Sequence, residues 1–189
     1  MKTLNFIFLI LMIGCSTNAE DSEAVEVTDP WEEWESCSQD IGEHPCNFTF
    51  KNQGGNEVSL YDFYGQPVVL DLSVMWCGPC QAAATAVDTT KSAYASYDLE
   101  YVTVLIDDEI GETPTSSDAE TWSTLFGITS APVLAGNRDL VDLTNDNAWY
   151  IAGWPTFYFI TEDMTVKNVL RGYSEASLNL MIQEIISQE

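Results

Sequence analysis

Two thiols three residues apart, Cys77 and Cys80, have the clearest chemical meaning in this 189-residue chain. They stand in Cys77-Gly78-Pro79-Cys80, after the apolar, β-branched run Val68 to Val74. That run suits a buried strand, and Gly78-Pro79 suits the start of a helix. Both thiols then sit where a strand hands over to a helix. The unpaired N–H groups and positive dipole end of a first helical turn stabilise a thiolate at Cys77. Cys80, one turn further in, is placed to attack a mixed disulfide formed at Cys77. That is dithiol–disulfide exchange. Two other uses of the pair stay open. A static structural disulfide is one, and a zinc ribbon is the other, although a ribbon needs a second pair that the remaining cysteines are poorly spaced to supply.

The elements that would position this pair follow from hydropathy and turn residues. Asn47 to Phe50 alternates polar and apolar, Gln53-Gly54-Gly55-Asn56 turns the chain, and Glu57 to Leu60 pairs back, which predicts a hairpin. Tyr61 to Gln66 reads as a short helical turn feeding the central strand, and Gln81 to Tyr97 as one amphipathic helix. Glu100 to Ile106 predicts a second buried strand, and Asp107, Asp108 and Glu109 after it read as a solvated loop in preference to a metal site. A helix is predicted over Asp118 to Gly127, capped by Ser117 or Asp118, with Trp122, Leu125 and Phe126 on one face. Ala131 to Leu134 reads as a short strand, and Leu140 to Ile151 as a further helical stretch. Phe157 to Ile160 and Val166 to Leu170 predict an antiparallel pair, and Ser174 caps a last helix running to Ile186.

Trp76-Cys77-Gly78-Pro79-Cys80 resembles the hallmark of the thioredoxin superfamily. Asp71, six residues before Cys77, stands where that family has a buried aspartate, and Gly153-Trp154-Pro155-Thr156 resembles its cis-proline loop. On the residues alone, Asp71 also fits a structural strand-end carboxylate and Pro155 an ordinary trans proline. The resemblance covers about Phe48 to Ile186. It implies an α/β, thioredoxin-like fold: a central mixed sheet flanked by helices, with an N-terminal hairpin and an insertion of the kind found in TlpA-like and ResA-like thiol:disulfide oxidoreductases. It implies that Cys77 is the nucleophile, that Cys80 resolves and that Asp71 manages the proton of Cys80. It also implies that a protein or small-molecule disulfide docks over Trp76, Gly78, Pro79, Trp154, Pro155 and Thr156. No cofactor is expected. Gly-Pro between the cysteines is the filling of reducing members. Two positions depart from the relatives: Ala83 replaces a glutamate of ResA-like members, and Thr103 a strand lysine of plain thioredoxins. Trp154 before the proline either narrows the substrates or simply covers the disulfide.

Composition sets the surroundings. A formal charge of −24, from 30 Asp and Glu against 6 Lys and Arg, argues against nucleic acid or anionic headgroups as direct partners, since phosphates are repelled. Lys2 followed by the apolar run Leu4 to Ile13 is too short to span a bilayer and reads as a leader over residues 1–14. Met12-Ile13-Gly14-Cys15 resembles a bacterial lipobox, with Cys15 as the lipidated residue; a plain secretory signal is the alternative. Residues 15–30 are acidic and polar and read as a tether, and residues 31–189 as the domain, with Trp31 and Trp34 leading into its edge. The expected address is therefore the cell envelope, outside the cytoplasm, held to a membrane by lipid alone. Cys37 and Cys46 remain, and in an exported chain they are expected to pair. The alternative, a second redox or metal site with His44, has too few ligands for zinc. A second reading of the chain as a whole stays open beside the enzyme: a redox-inactive binding module with a structural Cys77–Cys80 disulfide. Peroxide reduction and copper delivery are disfavoured, because only Arg138 and Arg171 are available as arginines and no downstream His follows the cysteines.

Overall fold

The strand that leads to the cysteines, β3 (Val68–Ser73), is the middle of the hydrophobic core: every one of its six residues is buried. A strand buried on both faces must have neighbours on both sides. In the computed structural model, which describes residues 29–187, β3 pairs parallel with β4 (Glu100–Leu105) and antiparallel with β6 (Thr156–Ile160). The sheet is completed by β1 (Thr49–Asn52), β2 (Glu57–Ser59), β5 (Val133–Ala135) and β7 (Val166–Arg171), in the order β2-β1-β5-β4-β3-β6-β7. This is the mixed sheet expected, with α1 (Gly78–Ala84), α2 (Val87–Ala93), α3 (Ser116–Phe126) and α4 (Glu175–Ile186) in the order given by the chain. The leader, Cys15 and the tether as far as residue 28 lie outside the described residues. Contacts divide the chain between Glu33 and Trp34, and Pro30–Glu33 forms a single 3-10 turn. No helix among the described residues is long and apolar enough to cross a membrane.

The N-terminal hairpin forms with Thr49 opposite Ser59 and Phe50 opposite Val58, and β1 then pairs with β5. Cys37 and Cys46 are joined, with Cα atoms 4.8 Å apart. Within the loop they close, Gly42 N–H donates to Val166 O and Val166 N–H to Glu43 O, at 2.8 and 2.9 Å. His44 donates Nδ1–H to Met164 O at 2.8 Å and stacks flat on Trp34, ring centroids 3.9 Å apart. The loop is therefore tied to the start of β7.

Four expectations need correction. The helix predicted over Gln81 to Tyr97 is two helices, α1 and α2, and a 3-10 turn over Ala95–Tyr97. At the break, Thr85 Oγ1 donates to Ala82 O at 2.7 Å, the local competition by which a hydroxyl interrupts a helix. The cap of α3 is Thr115, whose side chain accepts from Asp118 N–H while Asp118 reaches back to Thr115 N–H; Gly127 ends the helix at φ 69°. On its apolar face Trp122 is buried, but Leu125 is 66% exposed. Leu140 to Ile151 is not helical: only Arg138–Val141 makes a 3-10 turn. Asp142 accepts from Thr144 N–H and Oγ1–H, and Asn145 donates to Asp139 O, so Asx turns replace helical bonding. Trp149, fully buried against Phe48 and Tyr158, holds that segment down instead. Finally, Asp107 is not part of a solvated loop but is fully buried.

Gly136 marks the closest approach in this region. Its N–H donates to Leu105 O at 2.9 Å, and a Cβ there would lie 2.6 Å from Val104 Cγ1 and 2.9 Å from Leu105 O. Gly136→Ala is expected to lower stability by about 2 kcal/mol, as overpacking against backbone does. Urea unfolding with an unchanged slope checks it.

Candidate active site

The path from β3 into α1 is short and heavily bonded. Past the end of the strand, Ile106 N–H donates to Ser73 O and Met75 N–H to Asp107 O, at 2.8 and 3.1 Å. These bonds carry β3 and β4 forward together before the chain turns. Cys77 then caps α1: its backbone is extended, φ −94° and ψ 116°, and its Sγ accepts from Cys80 N–H at 3.2 Å. Pro79 in the first helical turn has no N–H to satisfy there. Gln81 Nε2 reaches back to Met75 O at 2.9 Å and closes the turn. Cys77 and Cys80 are joined as a disulfide, Cα atoms 5.2 Å apart. Their burial is graded, 6% exposed for Cys77 and 0% for Cys80. Trp76, immediately before, is half exposed, and Gly78 and Pro79 are exposed.

The proline loop comes to the same end of the sheet by strand register. Leu72 of β3 pairs with Thr156 of β6, so Pro155 lies one step beyond the pairing, at the end where β3 runs toward Cys77. The Trp154–Pro155 bond is cis. Pro155 O accepts from Gly172 N–H at 2.7 Å, which fixes the loop on the strand beside it. Thr156 is buried, and its hydroxyl donates to Gly153 O at 2.7 Å, so it shapes the loop from within. Trp154 is half-buried and packs against the core.

Asp71 lies inside the sheet, 1% exposed, opposite Thr103 on β4 and Phe157 on β6. It is held by two hydroxyls: Ser73 Oγ–H donates to Oδ1 at 2.6 Å, and the Tyr101 phenol faces Oδ2 at 3.5 Å. Burial pushes its pKa from 3.8 up to about 7, against the lowering pull of Ser73 and Tyr101. Tyr101 is itself held well above the usual phenol range by burial and by the Asp71 charge, so its hydroxyl stays a donor. Thr103 Oγ1, on the same face, is buried without a partner. Sequence reasoning missed Ser73 and Tyr101. The available signal was polar residues two apart, Asp71/Ser73 and Tyr101/Thr103, within two apolar runs: side chains two apart share a face.

A second carboxylate was also missed. Asp107 Oδ2 accepts from Trp76 Nε1–H at 3.3 Å and from Arg138. No group of three or more His, Cys, Asp or Glu among the described residues is arranged to hold a metal ion.

The chain is similar in sequence and fold to known proteins. The AhpC/TSA family matches residues 41–169, more than half of the chain. The thioredoxin-like protein YneN of Bacillus subtilis is 25% identical over 129 residues, 68% of this chain and 69% of that protein. Among solved structures, a putative thiol:disulfide interchange protein DsbE from Chlorobium tepidum superposes with a TM-score of 0.63 at 22% identity, over 79% of this chain and all of that one. The exposed lipoprotein thioredoxin Etrx1 of Streptococcus pneumoniae does so with a TM-score of 0.59 at 22% identity, over 74% of this chain and 99% of that one.

The Asp71 shift has a measurable consequence. Between about pH 4 and 7 the unfolded chain has lost this proton while the folded chain keeps it, so stability falls as pH rises through that window. Asp71→Asn removes the fall. Relative to wild type the variant is expected to gain on the order of 4 kcal/mol at pH 8 over its difference at pH 4. Urea unfolding at the two pH values measures it, and equal differences at both would remove the burial argument.

Proposed function

Because the chain belongs to the AhpC/TSA family, and has the fold of thiol:disulfide oxidoreductases, we propose that it is an exported, membrane-tethered member that reduces protein disulfides through Cys77 and Cys80. The observation that carries this reading is the pair itself: Cys77 at the opening of α1, Cys80 behind it, and a cis proline at the same end of the sheet. In the reduced protein the Cys77 thiolate attacks a substrate disulfide. A Cys77–substrate bond forms, the substrate S–S bond breaks, and one substrate thiolate leaves. Cys80 then attacks Cys77 Sγ, forming the Cys77–Cys80 bond and releasing the second substrate thiol. Two electrons pass to the substrate, and a dithiol donor must restore the pair. Asp71, poised near neutrality inside the sheet, takes the proton of Cys80 through water.

Substrate docks on the exposed surface of Trp76, Gly78 and Pro79 and along the backbone before Pro155, as an added strand. Trp154 borders that edge, and Thr156 holds the Gly153 carbonyl in place from below. Residues 1–14 are the leader, Cys15 carries the lipid, and residues 15–30 hold the domain at residues 31–189 off the membrane. The likeness to an exposed lipoprotein thioredoxin supports that address.

With insulin as the disulfide substrate and dithiothreitol as donor, the wild type is expected to turn over and Cys77→Ser to fall to background. Cys80→Ser is expected to accumulate a mixed disulfide, seen as a shift on a non-reducing gel. A static pair in a binding module would show no turnover, and a potential below about −300 mV, where structural disulfides lie. In cells fed labelled palmitate, Cys15→Ala is expected to lose the label and leave the membrane fraction.

A further inference from the structure

Asp107 is a carboxylate at the end of β4 with 1% of its side chain exposed. A carboxylate so deeply placed needs a countercharge and donors. It has two partners: the Trp76 indole, donating to Oδ2 at 3.3 Å, and the Arg138 guanidinium, whose side chain is 64% exposed. Oδ1 has none. A single indole N–H is a weak partner for a buried carboxylate, so the Arg138 guanidinium is the countercharge that holds Asp107 in place.

The placement of Arg138 is built into the fold. Gly136 is bonded to Leu105 on β4, Asn137 caps the following 3-10 turn by accepting from Leu140 N–H, and Leu140 is buried. Leu140 O in turn accepts from the N–H of the buried Trp149 at 2.7 Å. At the other end of the network, Trp76 is 50% exposed and adjoins Cys77. With that much of the ring in solvent, its Nε1 bond to Asp107 is a principal restraint on its orientation. In a chain with 6 basic residues against 30 acidic ones, one arginine is committed to this contact.

We propose that Arg138 is a positioning residue: by pairing with the buried Asp107 carboxylate it fixes the Trp76 indole beside Cys77, so that the segment between β5 and β6 sets how a substrate disulfide docks. The docking part rests on the reductase reading; the link from Arg138 to Trp76 does not.

The test uses the ¹⁵N-labelled full-length chain, with the Trp76 indole cross-peak assigned by Trp76→Phe. In Arg138→Gln the Trp76 cross-peak is expected to move and its solvent exchange to speed up by roughly tenfold, while those of Trp122 and Trp149 stay in place. For insulin reduction KM is expected to rise by roughly three- to tenfold with kcat little changed, well within the effect of about a hundredfold that misplacement can have. Arg138→Lys keeps the charge without the fork and is expected to fall between the two. An unmoved Trp76 cross-peak in folded Arg138→Gln overturns the proposal. Should Arg138→Gln fail to fold, an unmoved cross-peak in Arg138→Lys does so. A moved cross-peak with unchanged KM overturns the docking part. Absence of turnover in the wild type tells against the reductase reading, and the cross-peak then still decides the link.

Discussion

The pairing of β3 with β4 on one side and β6 on the other is the constraint on which the rest depends. Each of the three strands is buried, and their register determines what meets at the sheet's end. Parallel pairing with β4 carries Asp107 past Ser73 to the backbone of Met75. Antiparallel pairing with β6 brings the cis proline, Pro155, back to that same end from 78 residues beyond Cys77. A slip of one residue in either ladder would turn Asp71 to the opposite face and separate the loop from the thiols.

Inside this apolar frame two carboxylates are kept by different means. Among the described residues Asp71 has hydroxyls as its hydrogen-bond partners, from Ser73 and Tyr101, and no cation, so burial prevails and the neutral acid is favoured up to about pH 7. Asp107 is as deeply buried but has an arginine, whose own side chain reaches the surface. The first arrangement suits a group that gains and loses a proton; the second suits a carboxylate that orients a neighbour. The acidic exterior contributes to neither, since exposed charges are screened within about 10 Å at ordinary salt.

Much of this was legible in the sequence because the strongest signals are local. An apolar run ending in Cys-Gly-Pro-Cys specifies a strand, a junction and a helix start without reference to anything distant, and Ser174 and Gly127 punctuate their helices as such residues do. The hairpin, β6 and β7 followed from alternation and turn residues. What could not be read was decided by competition or by pairing. Thr85 breaks a helix whose apolar spacing continues through it, and Asp142 and Asn145 take hydrogen bonds that a helix over Leu140 to Ile151 would have needed. The acidic run after β4 looked like a solvated loop because its first member is buried only through a bond to a tryptophan and an arginine thirty-one residues away. Register also explains why Tyr101 went unnoticed: the spacing of Tyr101 and Thr103 marks a shared face, but only the pairing of β3 with β4 sets that face beside Asp71.

The clamp made by Gly42, Glu43 and His44 on Met164 and Val166 has a bearing on self-association. β7 is the outermost strand on its side, and an outermost strand offers unpaired amide and carbonyl groups to any other extended chain. With the disulfide-closed loop already seated on its first residue, the length open to a second molecule is reduced to Lys167 through Arg171, a stretch that begins and ends on a positive charge. Two copies meeting there would set like charges against each other. The cross-linked loop thereby shortens the exposed edge along which a second copy could extend the sheet.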